Sequence, residues 1–354
     1  MSVPSVLSAA LPTASAGAGI ETIATPGLWV ATIAGVLALF AIDFVITRKP
    51  HAVTMREAIG WSAFYVAIPV AFGVWLWSAY GSVTGVEFYT GYLVEKSLSI
   101  DNLFVFLLLL TAFAVPRELQ QRVLLIGVAG ALVLRAIFIA LGAQLIASFS
   151  AAFLLFGAIL LITAVKVLRD AMNHDEASID ISSLRTVKVV RRFWPVTDDY
   201  VGSRLSVRRA GRRMLTPMAL VIVAILGTDI VFAIDSVPAV YGITGDPYLV
   251  FITNAFALLG LRALYFVVEG ALASLAHLAY GLSIILGFIG VKLVLHWAHD
   301  VWAWVPQIPT LASLAVIVGV LGTVTVTSLI ARRRAQNAQP QAENEVAAER
   351  EPVA

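Results

Sequence analysis

Long apolar runs separated by short polar breaks dominate the chain. Nine of them, at 27–47, 58–80, 86–115, 121–147, 151–170, 216–244, 247–268, 278–298 and 308–331, are long enough to cross a membrane as helices. At a rise of about 1.5 Å per residue, about 20 residues cover a hydrocarbon core about 30 Å thick. The pattern predicts an all-α polytopic membrane protein with about nine transmembrane helices. Composition agrees: of 354 residues, 60% are hydrophobic and 13% charged, against about 25% charged in a soluble domain. The mean hydropathy is +0.90. Cysteine is absent, which excludes disulfides, thiolate metal sites and thiol redox chemistry.

The formal charge of +2 is small against 24 basic and 22 acidic residues, so the balance predicts no nucleic-acid partner, and only the placement of charge informs. Residues 1–26 are Ala/Ser-rich without Lys or Arg; lacking a basic n-region, they read as an external tail rather than a signal peptide. Arg48, Lys49 and Arg56 follow the first run, Arg117 and Arg122 the third, and Arg332, Arg333 and Arg334 the ninth. A basic loop at 171–215 adds Arg185, Lys188, Arg191, Arg192, Arg204, Arg208, Arg209, Arg212 and Arg213, whereas the loops around Gly81, Ser150, Gly245 and Asp300 carry no Lys or Arg. Cytoplasmic loops retain basic residues, so the N-terminus is expected outside the cell membrane and the C-terminus in the cytoplasm. The bilayer is one expected partner. The basic loop is a place where anionic lipid or a membrane-protein partner could bind, and the polar tail at 332–354 reads as disordered.

Polar landmarks repeat inside the apolar runs. Glu95, Asp101, Arg135 and Lys166 are matched by Asp229, Asp235, Arg262 and Lys292; the acids are six positions apart in each set, and the Arg-to-Lys separations are 31 and 30. Local context matches too, as in Arg135-Ala-Ile-Phe against Arg262-Ala-Leu-Tyr. Two units follow, 86–170 and 216–298, each with three spans. An odd number of spans turns the second upside down, giving the inverted repeat common in transporters. The two helices within 27–85 and the ninth within 299–331 lie outside this core.

An ionisable side chain at mid-bilayer costs about 2.5–3.5 kcal/mol on insertion scales, so Glu95, Asp101, Asp229 and Asp235 must be paired, protonated or hydrated. The bland reading is that Arg135 and Arg262 neutralise Asp101 and Asp235 as ion pairs that fix packing. Lys166 and Lys292, late in their spans, read as snorkelling side chains. On a straight helix, positions six apart point about 120° from one another, so a single shared site needs a break. The polar stretch Glu95-Lys96-Ser97-Leu98-Ser99 and Pro238 are the candidates for one. The oxygen donors Glu95, Ser99, Asp101, Asn102, Thr228, Asp229, Asp235 and Ser236 contain no sulfur or imidazole. This set suits a hard divalent cation and leaves magnesium, calcium and manganese open. His51, His174, His277, His296 and His299 fall in loops or at span ends, where interfacial anchoring accounts for them. No nucleophile–base pair, phosphate loop or cofactor motif stands out, so neither an enzyme nor a permanently bound cofactor is expected.

The stretches Glu95-Lys96-Ser97-Leu98-Ser99-Ile100-Asp101-Asn102-Leu103-Phe104 and Thr228-Asp229-Ile230-Val231-Phe232-Ala233-Ile234-Asp235-Ser236-Val237-Pro238-Ala239 closely resemble the TerC/Alx family of integral membrane proteins. Pro195-Val196-Thr197, Asp246-Pro247, the segment from Phe256 to Phe266 and Tyr280-Gly281-Leu282 extend the resemblance to roughly 24–330. Family members were named for tellurite resistance and are associated mainly with manganese efflux. The resemblance therefore implies export of a divalent cation, with manganese favoured and proton antiport plausible. It places the family's acidic motif residues on Glu95, Asp101, Asp229 and Asp235; Asp101 and Asp235 are expected to bind the ion between the repeats and Glu95 and Asp229 to complete the cage or carry protons, with Asn102, Ser99, Thr228, Ser236, Arg135 and Arg262 in support. One departure is Leu226, where the family pattern usually carries a Glu. Export of an amino acid or other small solute, and a membrane scaffold acting through the basic loop, are the alternatives. Oligomeric state is not readable from the chain.

Overall fold

The computed structural model describes residues 22–46, 53–149, 151–173, 185–209, 212–269, 278–302 and 304–349. Helices α1 (Pro26–Ile46), α2 (Met55–Tyr80), α3 (Ser82–Ala112), α4 (Arg117–Ser148) and α5 (Ala152–Asn173) come first. A short helix α6 (Arg185–Phe193) and a hairpin of β1 (Ser206–Arg209) and β2 (Arg212–Leu215) follow, and then α7 (Pro217–Tyr241), α8 (Pro247–Leu259), α9 (Leu261–Glu269), α10 (Leu278–Val301) and α11 (Thr310–Glu349).

Local chemistry sets the helix ends. Thr54 accepts from the Glu57 amide at the start of α2, a Thr-x-x-Glu box that satisfies an otherwise orphaned donor. Gly81, at φ +93°, turns the chain between α2 and α3 in a conformation that disfavours any side chain. Pro217 and Pro247 open α7 and α8, where the missing N–H costs nothing, and Asp246 caps α8 by accepting from the Tyr248 amide at 2.8 Å.

Seven of the described helices are long and apolar enough to span a membrane, and an eighth is obtained if α8 and α9, bent by 41° at Gly260, count as one. The protein is thus an all-α polytopic membrane protein. The predicted third span is a helix of 31 residues, but its embedded charges keep it off that apolar tally. Outward-facing Val30, Leu37, Ile162 and Val165 are largely exposed, as suits side chains that meet lipid rather than water.

The core sits around α4, α7 and α8, and every residue of α8 from Tyr248 to Leu259 is buried. Helix α3 packs on α7, α8 and α10, α4 on α7 and α8, and α5 on α7 and α10. At the α5–α10 seam a Cβ on Gly157 would fall 2.9 Å from the Gly290 carbonyl oxygen, and one on Gly290 3.1 Å from that of Gly157. Two facing glycines let the backbones touch, as close packing in lipid requires.

Several expectations change. Helix α3 runs unbroken through Glu95–Ser99 and α7 runs unbroken past Pro238. The only carbonyl that Pro238 must leave unbonded is that of Ile234, and one lost bond bends a helix without ending it. The sharp bend lies instead at Gly260. The basic loop has structure of its own, with α6 and a hairpin in which Arg208 faces Arg213 and Arg209 faces Arg212. The tail read as disordered continues α11 to Glu349; its Ala, Arg, Gln and Glu are strong helix formers that extend a helix already nucleated in the span. Arg48, Lys49, His51, His174, His277 and most of the N-terminal tail lie outside the described residues.

Candidate functional site

Arg135 projects from the middle of α4 into the fully buried centre of the bundle. Its Nη1 donates to Glu95 Oε1 of α3 and to Asn254 Oδ1 of α8 at 2.8 Å. The other edge of the guanidinium donates to Asp229 of α7, Nη2 at 3.0 Å and Nε at 3.2 Å. With its amide turned so that both atoms are satisfied, Asn102 donates to the Leu98 carbonyl at 3.1 Å and accepts from Arg135 Nη2 at 2.9 Å. All five N–H groups of the guanidinium thus have acceptors. Glu95, Asp229, Arg135 and Asn254 are wholly inaccessible.

One guanidinium against two carboxylates leaves a formal excess of one negative charge. The neighbouring cation on α3, Lys96, is directed elsewhere, donating to the Ala257 carbonyl at 3.2 Å beside the Gly260 bend. Among the described residues, Glu95 Oε2 has no hydrogen-bond partner, and neither do the buried hydroxyls of Ser99 and Ser236 or Asn254 Nδ2. Ser99 lies one turn beyond Glu95, and Ser236 two turns beyond Asp229, so each shares its acid's helix face. Thr228 is spent on its own helix, donating to the Ile225 carbonyl at 2.8 Å.

Asp235 is half-buried and outside this cluster; it accepts from Thr163 of α5 at 2.8 Å. The Asp101 side chain lies outside the described residues, and its position falls within continuous α3. Because α7 does not break, Asp229 and Asp235, six positions apart, keep separate directions. Among the described residues no three Asp, Glu or His side chains gather to hold a metal ion by themselves.

The bland reading's pairing of Arg262 with Asp235 is not found. Arg262, at the start of α9, forms a two-point ion pair with Asp43 of α1, with Nε to Oδ2 at 2.9 Å, and also donates to Gln121 Oε1 of α4 at 3.3 Å. The Gly260 bend ends α8 and starts α9, and this turns Arg262 toward α1 rather than α7. Arg135 likewise pairs with Glu95 and Asp229, which its position midway along α4 brings within reach. Lys166 is exposed, as a snorkelling side chain would be, whereas Lys292 lines a cavity. Leu226 packs against Gly130, where an added Cβ would fall 2.6 Å from Leu226 Cδ2; this position is built for an apolar contact. His299 Nδ1 lies 2.6 Å from the Val305 carbonyl oxygen, and the His296 ring packs edge-on against Phe153 at 4.6 Å.

Sequence reasoning overlooked Asn254, Thr163, Asp43 and Gln121. Asn254 was visible as an amide within the apolar run Phe251-Ile252-Thr253-Asn254-Ala255-Phe256, and Asp43 as the one acid of the first span.

Buried carboxylates bridged by a guanidinium inside a bundle of membrane-spanning helices define a polytopic integral membrane protein with a charged interior. The family model described as the integral membrane protein TerC family matches residues 80–336, and the chain belongs to that family. It is 43% identical over 326 residues to an uncharacterized membrane protein of Mycobacterium tuberculosis (strain H37Rv), covering 89% of this chain and 82% of that one. A membrane protein of Myxococcus xanthus is 39% identical over 315 residues, with 89% and 95% covered. The "putative membrane-bound redox modulator Alx" of Escherichia coli K12 is 39% identical over 313 residues, with 85% and 94% covered. No solved structure matches.

Proposed function

We propose that this protein exports a divalent cation, with manganese favoured, across the cell membrane, and that the Arg135-bridged pair of Glu95 and Asp229 is the resting form of its cation site. One observation carries the reading: carboxylates on α3 and α7, at matched positions of the two sequence units, converge on a single guanidinium with negative charge in excess. The packing supports the repeat. Exchanging α3 with α7, α4 with α8–α9 and α5 with α10 maps the principal helix pairs of the two units onto one another.

The guanidinium stays charged at any accessible pH, so it can yield the carboxylates only by moving. An entering divalent cation competes for the oxygens of Glu95 and Asp229, and Glu95 Oε2, which lacks a partner among the described residues, is the first acceptor open to it. Asn102 and Asn254 offer neutral amide oxygens, and Asp235 with Thr163 a second oxygen pair further along α7. These donors suit a hard cation. Protons compete for the same carboxylates, so antiport is the coupling this site favours. The protein acts as a carrier rather than an enzyme, with the N-terminus outside. The redox role in the name of the E. coli relative has no thiol to act through here, since the chain has no Cys.

The test is manganese uptake into inverted membrane vesicles under an imposed pH gradient, comparing the wild type with Glu95→Gln, Asp101→Asn, Asp229→Asn and Asp235→Asn. Loss of uptake in Glu95→Gln and Asp229→Asn at normal protein levels is expected. Wild-type uptake in both removes the site.

A further inference from the structure

At the end of the bundle where α3, α5 and α11 begin and α7 and α10 end, a cavity of about 460 Å³ opens, lined by Glu87, Tyr241, Thr244, Lys292, His296 and Gln307 among others. Its size lies within the range of about 300–1,000 Å³ typical of small-molecule sites. Glu87 is eight residues along α3 from Glu95, which is about 12 Å, so the cavity is separate from the Arg135 cluster.

Its charges are opposite and do not meet. Thr244 Oγ1 donates to Glu87 Oε2 at 2.8 Å, and no ion pair joins Glu87 to Lys292 among the described residues. Lys292, on α10, is half-buried and has no hydrogen-bond acceptor among the described residues. The half-buried ammonium and the half-buried carboxylate lie within electrostatic reach of each other across one cavity, with Asp246 also near Glu87, yet they do not close into an ion pair, and a guest bearing both signs fits between them. Exposed Trp75 and Trp77 at the end of α2, and Trp302 and Trp304 after α10, ring this same end, where aromatic side chains mark the lipid–water boundary.

We propose that this cavity binds a small zwitterion, with the guest's ammonium on Glu87 and its acidic oxygens on Lys292. The shared chemistry is a primary ammonium a few bonds from an oxyanion. An aminophospholipid headgroup at the boundary and a free amino acid in solution both carry it.

The test uses the purified full-length protein, delipidated in detergent. Binding is read by native mass spectrometry and by the shift in thermal unfolding, with phosphatidylethanolamine, phosphatidylcholine, phosphatidylglycerol and glycine as probes. Phosphatidylethanolamine or glycine is expected to bind at least tenfold more tightly to the wild type than to Glu87→Gln or Lys292→Met. Phosphatidylcholine, whose ammonium has no hydrogen to donate, and phosphatidylglycerol, which has no ammonium, are expected to show no such preference. Binding of phosphatidylethanolamine alone identifies the lipid as the source; binding of glycine identifies a free solute. The exchanged double variant Glu87→Lys with Lys292→Glu keeps both charges, and recovery of binding in it separates lost recognition from lost folding. Equal binding of phosphatidylethanolamine and phosphatidylglycerol, undiminished binding in both single variants, or no binding of any probe overturns the proposal.

Discussion

Arg135 and Arg262 occupy matched positions of the two sequence units, yet the structure sets them in opposite charge balances. Arg262 meets one carboxylate, Asp43, and ties the outlying α1 to the bend at Gly260 in a pair of balanced charge. Arg135 meets two carboxylates from different helices and leaves negative charge over. A balanced buried pair holds helices together and gains nothing from a third charge. An overloaded one has a reason to accept a cation. On the proposed reading, what separates latch from cation site is the count of charges around the guanidinium, since the local sequence around the two arginines is nearly the same.

The largest effect is expected from Arg135→Met, which strands two buried carboxylates. Breaking a buried pair costs about 3–5 kcal/mol, so this variant should lose most of its folded yield, read by size-exclusion chromatography in detergent. Adding Glu95→Gln and Asp229→Asn should restore the fold while manganese uptake stays absent. A triple variant that transports would erase the distinction between site and latch. Next comes the latch itself. Replacing it with Asp43→Leu and Arg262→Met should be neutral or stabilising by about 1–4 kcal/mol in thermal unfolding, with uptake unchanged; loss of uptake there would make Arg262 more than a tie. Asp235→Asn keeps a hydrogen-bond acceptor for Thr163 and should alter stability by about 1 kcal/mol or less, yet abolish uptake. Smallest is Ser99→Ala. The Ser99 hydroxyl has no partner among the described residues, so removing it should leave the unfolding midpoint unchanged or slightly raised, whereas a clear fall would reveal a partner for it.

The spans were legible because apolar runs bounded by polar residues have one physical outcome in lipid. That Glu95, Asp229 and Arg135 would be buried and paired was legible for a related reason: charge inside such runs is too costly to leave unpaired in lipid. Pairing was not. Whether Arg262 reaches Asp235 or Asp43 depends on the bend at Gly260, and a glycine inside an apolar run does not announce a bend. Helix continuity was misread in the other direction. The serines of Glu95-Lys96-Ser97-Leu98-Ser99 look like a break, but Ser97 bonds to the Leu93 carbonyl at 2.6 Å and so remains within the helix. Asp43 went unnoticed because the first two spans have no counterpart in the repeat, and a search guided by repetition passes over what occurs once.

The β1–β2 hairpin places Arg208 across from Arg213 and Arg209 across from Arg212, all four exposed. Like charges directly opposite oppose strand pairing, and surface charges are screened within a Debye length of about 8 Å at physiological ionic strength. Dissolved ions therefore act as mortar for this hairpin while leaving the interior pairs of the bundle untouched. Dilution into low-salt buffer should fray its strands first, so the surface and the interior of one molecule register ionic strength differently.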